Sequence, residues 1–353
     1  MAENQDLKQA IPAMYGTFRL KGRVDKIDTS NYDSETATKR KRRALTLTIR
    51  TSKTNTVSLP LSAIAQDNVY YIKRDEDGKE VDRKIIPWSE RNTTSLPEGF
   101  YPMSRVRIGV EQEVDENGVE RNKNQFKILY DAIEDIYNFV KVGDELFIQG
   151  DVSVESYKNR RGETVSAVRL NPNQISMRNR NDRLDFDSPD FVEDNSISQP
   201  MIIQDIEIDE EKQEAAVNGL VIGRKREGTI EIEIEGKDNL MFAKTLKNLS
   251  VENPYAAVTL QAKISNEGVS GPQKVWDETF NTWVVQPRQT GLRTRYVYIA
   301  MVADSYDPVT YTEENVTEFR NTFCRGKEEF GANNVNQSNH VGSEDTDNIW
   351  GSI

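Results

Sequence analysis

The 353-residue sequence holds one cysteine, Cys324, and one histidine, His340, which lies in a polar tail. An internal disulfide is therefore impossible, and zinc sites built from Cys and His lack the ligands they need. Ser-His-Asp and Cys-His catalytic groups are excluded unless His340 folds back onto the body of the chain. A phosphate-cradling loop is missing as well: Gly219 to Lys225 offers Gly and Lys without the Walker spacing, which argues against an NTPase. No apolar run reaches membrane-spanning length, and the opening MAENQDLKQAIPAM lacks the basic-then-apolar plan of a signal peptide, so a cytoplasmic protein without cofactor or metal is expected.

Net positive charge is also lacking. The formal value of −12 taken alone argues against a nucleic-acid partner, yet the deficit is local. Residues 1–180 carry 30 Lys+Arg against 27 Asp+Glu, while residues 181–214 carry 2 against 12. Local charge, not the global sum, decides phosphate binding.

What is present is β-patterned. With 36% apolar residues the chain has enough for two ordinary cores. From Met14 to Ile27, Phe18, Leu20, Gly22 and Val24 fall on one face and Arg19, Lys21 and Arg23 on the other, a strand able to sit on a core while meeting phosphates. Five consecutive cations follow, Lys39, Arg40, Lys41, Arg42 and Arg43, either a solvated loop or a backbone-contacting patch. Strands with Leu45, Leu47, Ile49 and then Val57, Leu59, Leu61 complete a three-stranded meander. Residues 68–125 contain two expected hairpins, turning at Asp77-Gly78 and Asn117-Gly118. Trp88, Phe100 and Tyr101 lie between them, as base-stacking rings or as core caps. Phe126, Leu129, Ile133, Ile136 and Val140 have helical spacing.

Residues 141–180 organise the first half. Leu146, Ile148, Gly150, Val152 and Val154 alternate with polar residues, and the strand runs into Tyr157-Lys158-Asn159-Arg160-Arg161-Gly162, one ring beside three cations at a turn. Such a tip suits stacking on a base and holding its phosphate; it also suits a solvated hairpin end. The Lys-x-Gly-Asp entry, the strand ending in Gly and the Tyr-Lys-Asn-x-x-Gly-Glu turn resemble the last two strands of bacterial-type single-stranded-DNA-binding proteins, which are OB-folds. The resemblance covers about 40 residues well and the rest loosely. It implies an OB barrel with its helix ahead of the Lys141 strand, and single-stranded DNA as partner. The compact family lacks the 68–125 expansion; this divergence and the large insertions suggest a phage or mobile-element version.

Asn181 to Glu214 reads as a self-repelling acidic linker, carrying at most one edge strand at Met201 to Ile208, that competes with DNA for the cationic face. Beyond Ala215, Ile230, Ile232 and Ile234 alternate with Glu231, Glu233 and Glu235. Leu240, Phe242 and the run Val258 to Ile264 continue a β-rich unit closed by Tyr296 to Val302. Its long loop holds Trp276, Trp283 and Arg293, again rings beside cations, with core packing as the competing account. Thr310 and Glu313 have capping-box spacing ahead of a closing helix. The end of the chain, with Glu344, Asp345 and Asp347 before Ile349, Trp350 and Ile353, resembles the partner-recruiting tail of the same family, although the acids are few and a Pro-Phe end is missing.

The expected architecture is mainly β: two tandem OB-like barrels with inserted hairpins and a few short helices. An N-terminal arm spans 1–13, a DNA-binding barrel 14–180, an acidic linker 181–214, a second barrel 215–324 and a disordered acidic tail 325–353. The expected function is non-catalytic, sequence-tolerant coating of single-stranded DNA in replication, recombination or repair. Phosphate contacts fall to Arg19, Lys21, Arg23, Lys39 to Arg43, Lys158, Arg160, Arg161 and Arg293, stacking to Tyr157, Trp88, Trp276 and Trp283, and docking of replication or recombination proteins to Asp347, Ile349, Trp350 and Ile353. An OB-fold adaptor for proteins is the alternative. A metal-dependent nuclease using Asp190, Glu235 and Lys237 is a third, set against the plain reading of Ile-Glu alternation as an amphipathic strand.

Overall fold

The computed structural model describes residues 11–116, 118, 120–159, 161–178, 183–266, 273–277, 282–286 and 294–324. The chain is mainly β and arranged as two barrels. The first begins with β1 (Gly16–Asp28), whose strict alternation buries Phe18, Leu20 and Val24. A two-residue strand, β2 (Ser34–Glu35), leads into β3 (Lys41–Arg50) and β4 (Thr56–Ile64), where Leu45, Leu47, Ile49, Val57, Leu59 and Leu61 fill the same interior.

The expansion that follows builds its own small sheet from β5 (Asn68–Arg74), β6 (Glu80–Pro87) and β7 (Tyr101–Pro102). Gly78, at φ 79°, makes the first expected hairpin turn, a conformation that needs no Cβ. The chain returns through β8 (Val106–Gly109), the small hairpin of β9 (Gln112–Val114) and β10 (Glu120–Asn122), and β11 (Gln125–Lys127). Helix α1 (Leu129–Phe139) follows, burying Ile133 and Ile136 as their spacing requires. Phe126, grouped with that helix by spacing, lies instead in β11 and is exposed. Then come β12 (Glu145–Lys158) and β13 (Thr164–Met177), the long hairpin expected from period two.

In this barrel β4, β3, β1, β12 and β13 are neighbours in that order, each pair antiparallel. The ring is not closed by pairing of β4 with β13. Its closing contact is parallel and comes from β8, which joins only the far end of β13, at Gln174 to Ser176. The closing strand is in effect split, with residues 65–105 inserted between its halves.

The second barrel closes fully. It is built from β14 (Asn195–Asp209), β15 (Glu214–Ile222), β16 (Glu227–Glu235), α2 (Lys237–Glu252) and β17 (Ala257–Ser265). Between β17 and its last strand, β20 (Arg295–Met301), the hairpin β18 (Gln273–Asp277) and β19 (Thr282–Gln286) forms a separate sheet. The order β14-β15-β16-β20-β17, back to β14, is a closed five-stranded barrel with one parallel contact, Glu233 opposite Val297. A short helix, α3 (Glu313–Phe319), buries Val316 and Phe319 against it.

Three expectations need correction here. The run 181–214 is not all linker: Asn195–Asp209 is a fifteen-residue strand hydrogen-bonded on both edges. Its acids are compatible with this because Ile197, Met201, Ile203 and Ile206 point inward while Asp205 and Glu207 point out. Leu240 and Phe242 belong to a helix, not a strand, since burial of Leu240, Ala243 and Leu246 follows a three-residue step. The capping box of α3 is formed by Thr312 with Asn315, not by Thr310 with Glu313.

The barrels are fused. Residues Thr17 to Leu20 of β1 pair with Ser198 to Asn195 of β14, making one continuous sheet. The distal half of the β12–β13 hairpin lies over β16: Arg226 meets Glu155 at 2.7 Å, and the Thr229 amide donates to Ser166. Gly228 permits this approach, because a Cβ there would stand 2.8 Å from the Glu155 nitrogen.

Candidate nucleic-acid interface

The cations expected to hold phosphates divide by what they already hold. On β1, Arg19 donates two hydrogen bonds to Asp194, which Lys21 also meets at 3.1 Å. Burial alone would raise the Asp194 carboxyl, but the bonds from Arg19 and Lys21 hold it below the usual carboxylate range. Arg23 donates to Glu145 and to the Leu184 carbonyl, with the Phe186 ring beneath it. The segment leading to β14 thus lies across the basic face of β1 and neutralises it, so these three side chains do not present a free phosphate surface.

The five-cation run is split in the same way. Arg43 is mostly buried, donating to Glu134 at 2.8 Å and sitting 4.3 Å over the Tyr130 ring; it ties α1 to the sheet. Lys39, at a φ of 60°, turns the chain, and both it and Lys41 are exposed. Arg40 reaches Asp67 at 3.6 Å and Arg42 donates to Ser62; both line a groove.

That groove encloses about 1060 Å³ and runs between β4 and β13, where the first barrel has no ladder. Four arginines border it, Arg40, Arg42, Arg105 and Arg169, against one acid, Asp67. Arg105 stacks on Tyr101 at 3.6 Å and Phe126 at 4.7 Å, and Arg169 is exposed with no acidic partner among the described residues. Tyr70, Trp88, Tyr130 and Tyr296 supply rings, and Ile264, Asn266 and Tyr296 come from the second barrel, so its wall is composite. Burial pushes the Tyr296 phenol up to about 12. Trp88 is half-buried, edge-on to Tyr130 with Arg91 4.3 Å over its face, so of its two expected roles it fills the packing one while one side still borders the groove.

The tip of the β12–β13 hairpin exposes Tyr157, at 48%, with Lys158 and Arg161. Arg160 and Arg293 lie outside the described residues, as do the tail positions Asp347, Ile349, Trp350 and Ile353. Trp276 and Trp283 are opposite each other in the β18–β19 register, and their side chains lie outside the described residues. Sequence reading missed Arg169, Tyr70 and Tyr296 as site residues. Arg169 carried a readable signal, a cation alternating with Val168 and Leu170 on a hairpin arm; the two tyrosines carried none, because their groove exists only once strands distant in sequence meet.

Of the residues weighed for a nuclease, Glu235 accepts a hydrogen bond from Arg295, which also donates to Glu233. Among the described residues no three His, Cys, Asp or Glu side chains come together as a metal site, and no helix is long and apolar enough to cross a membrane.

The YorF family matches this chain over residues 16–334. No curated protein matches. Among solved structures, the single-stranded DNA binding protein from Thermus aquaticus aligns at 11% identity with a TM-score of 0.37, covering 86% of this chain and 98% of that one. A deletion variant of the same Thermus aquaticus protein aligns at 12% identity with a TM-score of 0.37 and the same coverage.

Proposed function

This chain belongs to the YorF family, and from its groove we propose that it binds single-stranded DNA without catalysis and without sequence preference. The observation that carries the reading is the groove between β4 and β13, where four arginines and four aromatic rings converge around one acid. Cations not paired with an acid neutralise backbone phosphates, and rings stack on bases of any identity. Arg42, Arg105 and Arg169 hold the backbone, and Tyr70 and Tyr296 face the bases. Tyr157, Lys158 and Arg161 extend the path at the hairpin tip, and Lys39 and Lys41 flank its other end. Trp276, Trp283, Arg160 and Arg293 are proposed as further contacts on the strength of their sequence alone. Coating of exposed strands in replication, recombination or repair in the cytoplasm is the role this chemistry would serve. The tail, through Asp347, Ile349, Trp350 and Ile353, would dock the proteins that work there; acids before an apolar end support that role. A phage or mobile-element setting rests on sequence divergence alone.

The test is intrinsic Trp and Tyr fluorescence during titration with poly-dT, repeated with duplex DNA and across salt concentrations. Saturable quenching on single strands, with log affinity falling linearly against log salt, is the expected result. Absence of binding at low salt overturns the reading.

A further inference from the structure

The groove lies between two strand edges, and edges that carry a free row of N–H and C=O groups ordinarily attract another strand. Here both edges are interrupted by proline. Main-chain bonds from Thr51 to Asn55 and from Ala65 to Lys41 fix the alternation of the β3–β4 ladder. They leave Pro60, opposite Thr46, in a non-hydrogen-bonded pair, its nitrogen turned away from β3 and into the gap. On the other side, the bond from Asn159 to Glu163 sets the phase of the β12–β13 ladder, and Pro172, opposite Gly150, falls in the same kind of pair. Its nitrogen, too, is turned away from its partner strand. Both prolines line the groove. The edge positions in phase with them, Ser58, Ser62, Val168 and Leu170, keep their N–H and C=O groups facing the gap.

We propose that this gap is a slot for unpaired nucleobases, which enter edge-on between β4 and β13, and that Pro60 and Pro172 reserve it for them by preventing strand addition. A polypeptide strand needs an unbroken run of main-chain partners, and each proline removes one donor from the run. A base needs only one or two local donors and acceptors, and the Watson–Crick edge of every base offers both kinds, so isolated main-chain groups serve it without selecting a sequence. Arg42, Arg105 and Arg169, which border the gap, hold the phosphates outside the slot. A duplex, whose base edges are already paired, cannot enter. This inference rests on the reading of the chain as a single-strand binder and specifies which part of the ligand the groove takes.

The experiment compares, on the full chain, an oligodeoxythymidylate, an abasic deoxyribose-phosphate oligomer of equal length, and an extended uncharged poly-threonine peptide as competitor. The abasic oligomer is expected to bind about tenfold or more weakly, the equivalent of one or two lost stacks, with the same salt slope, and the peptide is expected not to compete. Equal affinity for abasic and thymidylate strands overturns the slot and leaves phosphate-driven binding standing. Competition by the peptide assigns the gap to polypeptide and overturns it likewise. If neither oligomer binds, the single-strand reading itself fails and the slot with it. The double variant Pro60→Val/Pro172→Val restores both edge donors. It is expected to show concentration-dependent self-association by light scattering and weaker thymidylate binding. A double variant that matches the natural chain in both overturns the assigned role of the prolines.

Discussion

Arg43 and Arg169 carry the same charge and differ in everything around them. Arg43 is held by Glu134, Asp33 and the Tyr130 ring, whereas Arg169 stands exposed at the groove. Arg169→Ala is expected to leave stability unchanged and to lower the log-log salt slope of poly-dT binding by about 1, one phosphate contact. Arg43→Ala is expected to cost ~2 kcal/mol in urea unfolding, the range for charged hydrogen bonds, with the salt slope unchanged. Equal slopes for both variants would show that the two arginines have not been told apart. Asp194 gives a pH signature. Its carboxyl sits below the ordinary 3.8 in the folded chain, so its contribution is complete at neutral pH and is lost as pH falls from there through the lower folded value. Asp194→Asn is therefore expected to flatten the acid limb of the stability profile, read as urea midpoint against pH. At this scale sequence pattern identified cations correctly and could not say which were spent, because ion pairs such as Arg19 with Asp194 join positions distant in sequence.

At the scale of elements, the β12–β13 hairpin does two jobs in one piece. Its base belongs to the first barrel, its middle lies on β16, and only its end projects with Tyr157, Lys158 and Arg161. Gly228 is the hinge of this arrangement. Gly228→Val places side-chain atoms against the β12 backbone, which cannot yield as a flexible side chain would, and is expected to destabilise by about 1–3 kcal/mol. A urea midpoint equal to that of the natural chain would show that the hairpin does not depend on close approach to β16. The strands were legible where period two is clean, as in β1 and β16, whereas most of Asn195–Asp209 read as linker because its acids and the consecutive buried Met201, Ile202 and Ile203 mask the alternation. Helix α2 was not legible, because its sparse apolar residues, Leu240, Phe242, Ala243 and Leu246, fit two short alternations as easily as one helical face.

For the molecule as a whole, the shared sheet means that the barrels do not stand apart. At the junction Asn55 and Asn195, both buried, donate to the Ile264 carbonyl, so side chains from the first barrel and from β14 meet β17 in one polar knot. Unfolding followed by far-ultraviolet circular dichroism and by tryptophan fluorescence is expected to give coincident transitions. Two separated transitions would mean that the β1–β14 pairing does not couple the barrels.

The sequence by itself determined the β character of both halves, the long hairpin and the helix before Lys141. These follow from local periodicity and composition, which need no knowledge of neighbours. Only the tertiary structure decided which cations remain free, that the acidic run supplies the first strand of the second barrel, and that a groove opens between β4 and β13. Those outcomes depend on pairing between residues far apart in the chain, where the geometry of edges and the reach of opposite charges, not the pattern of any one segment, set the result.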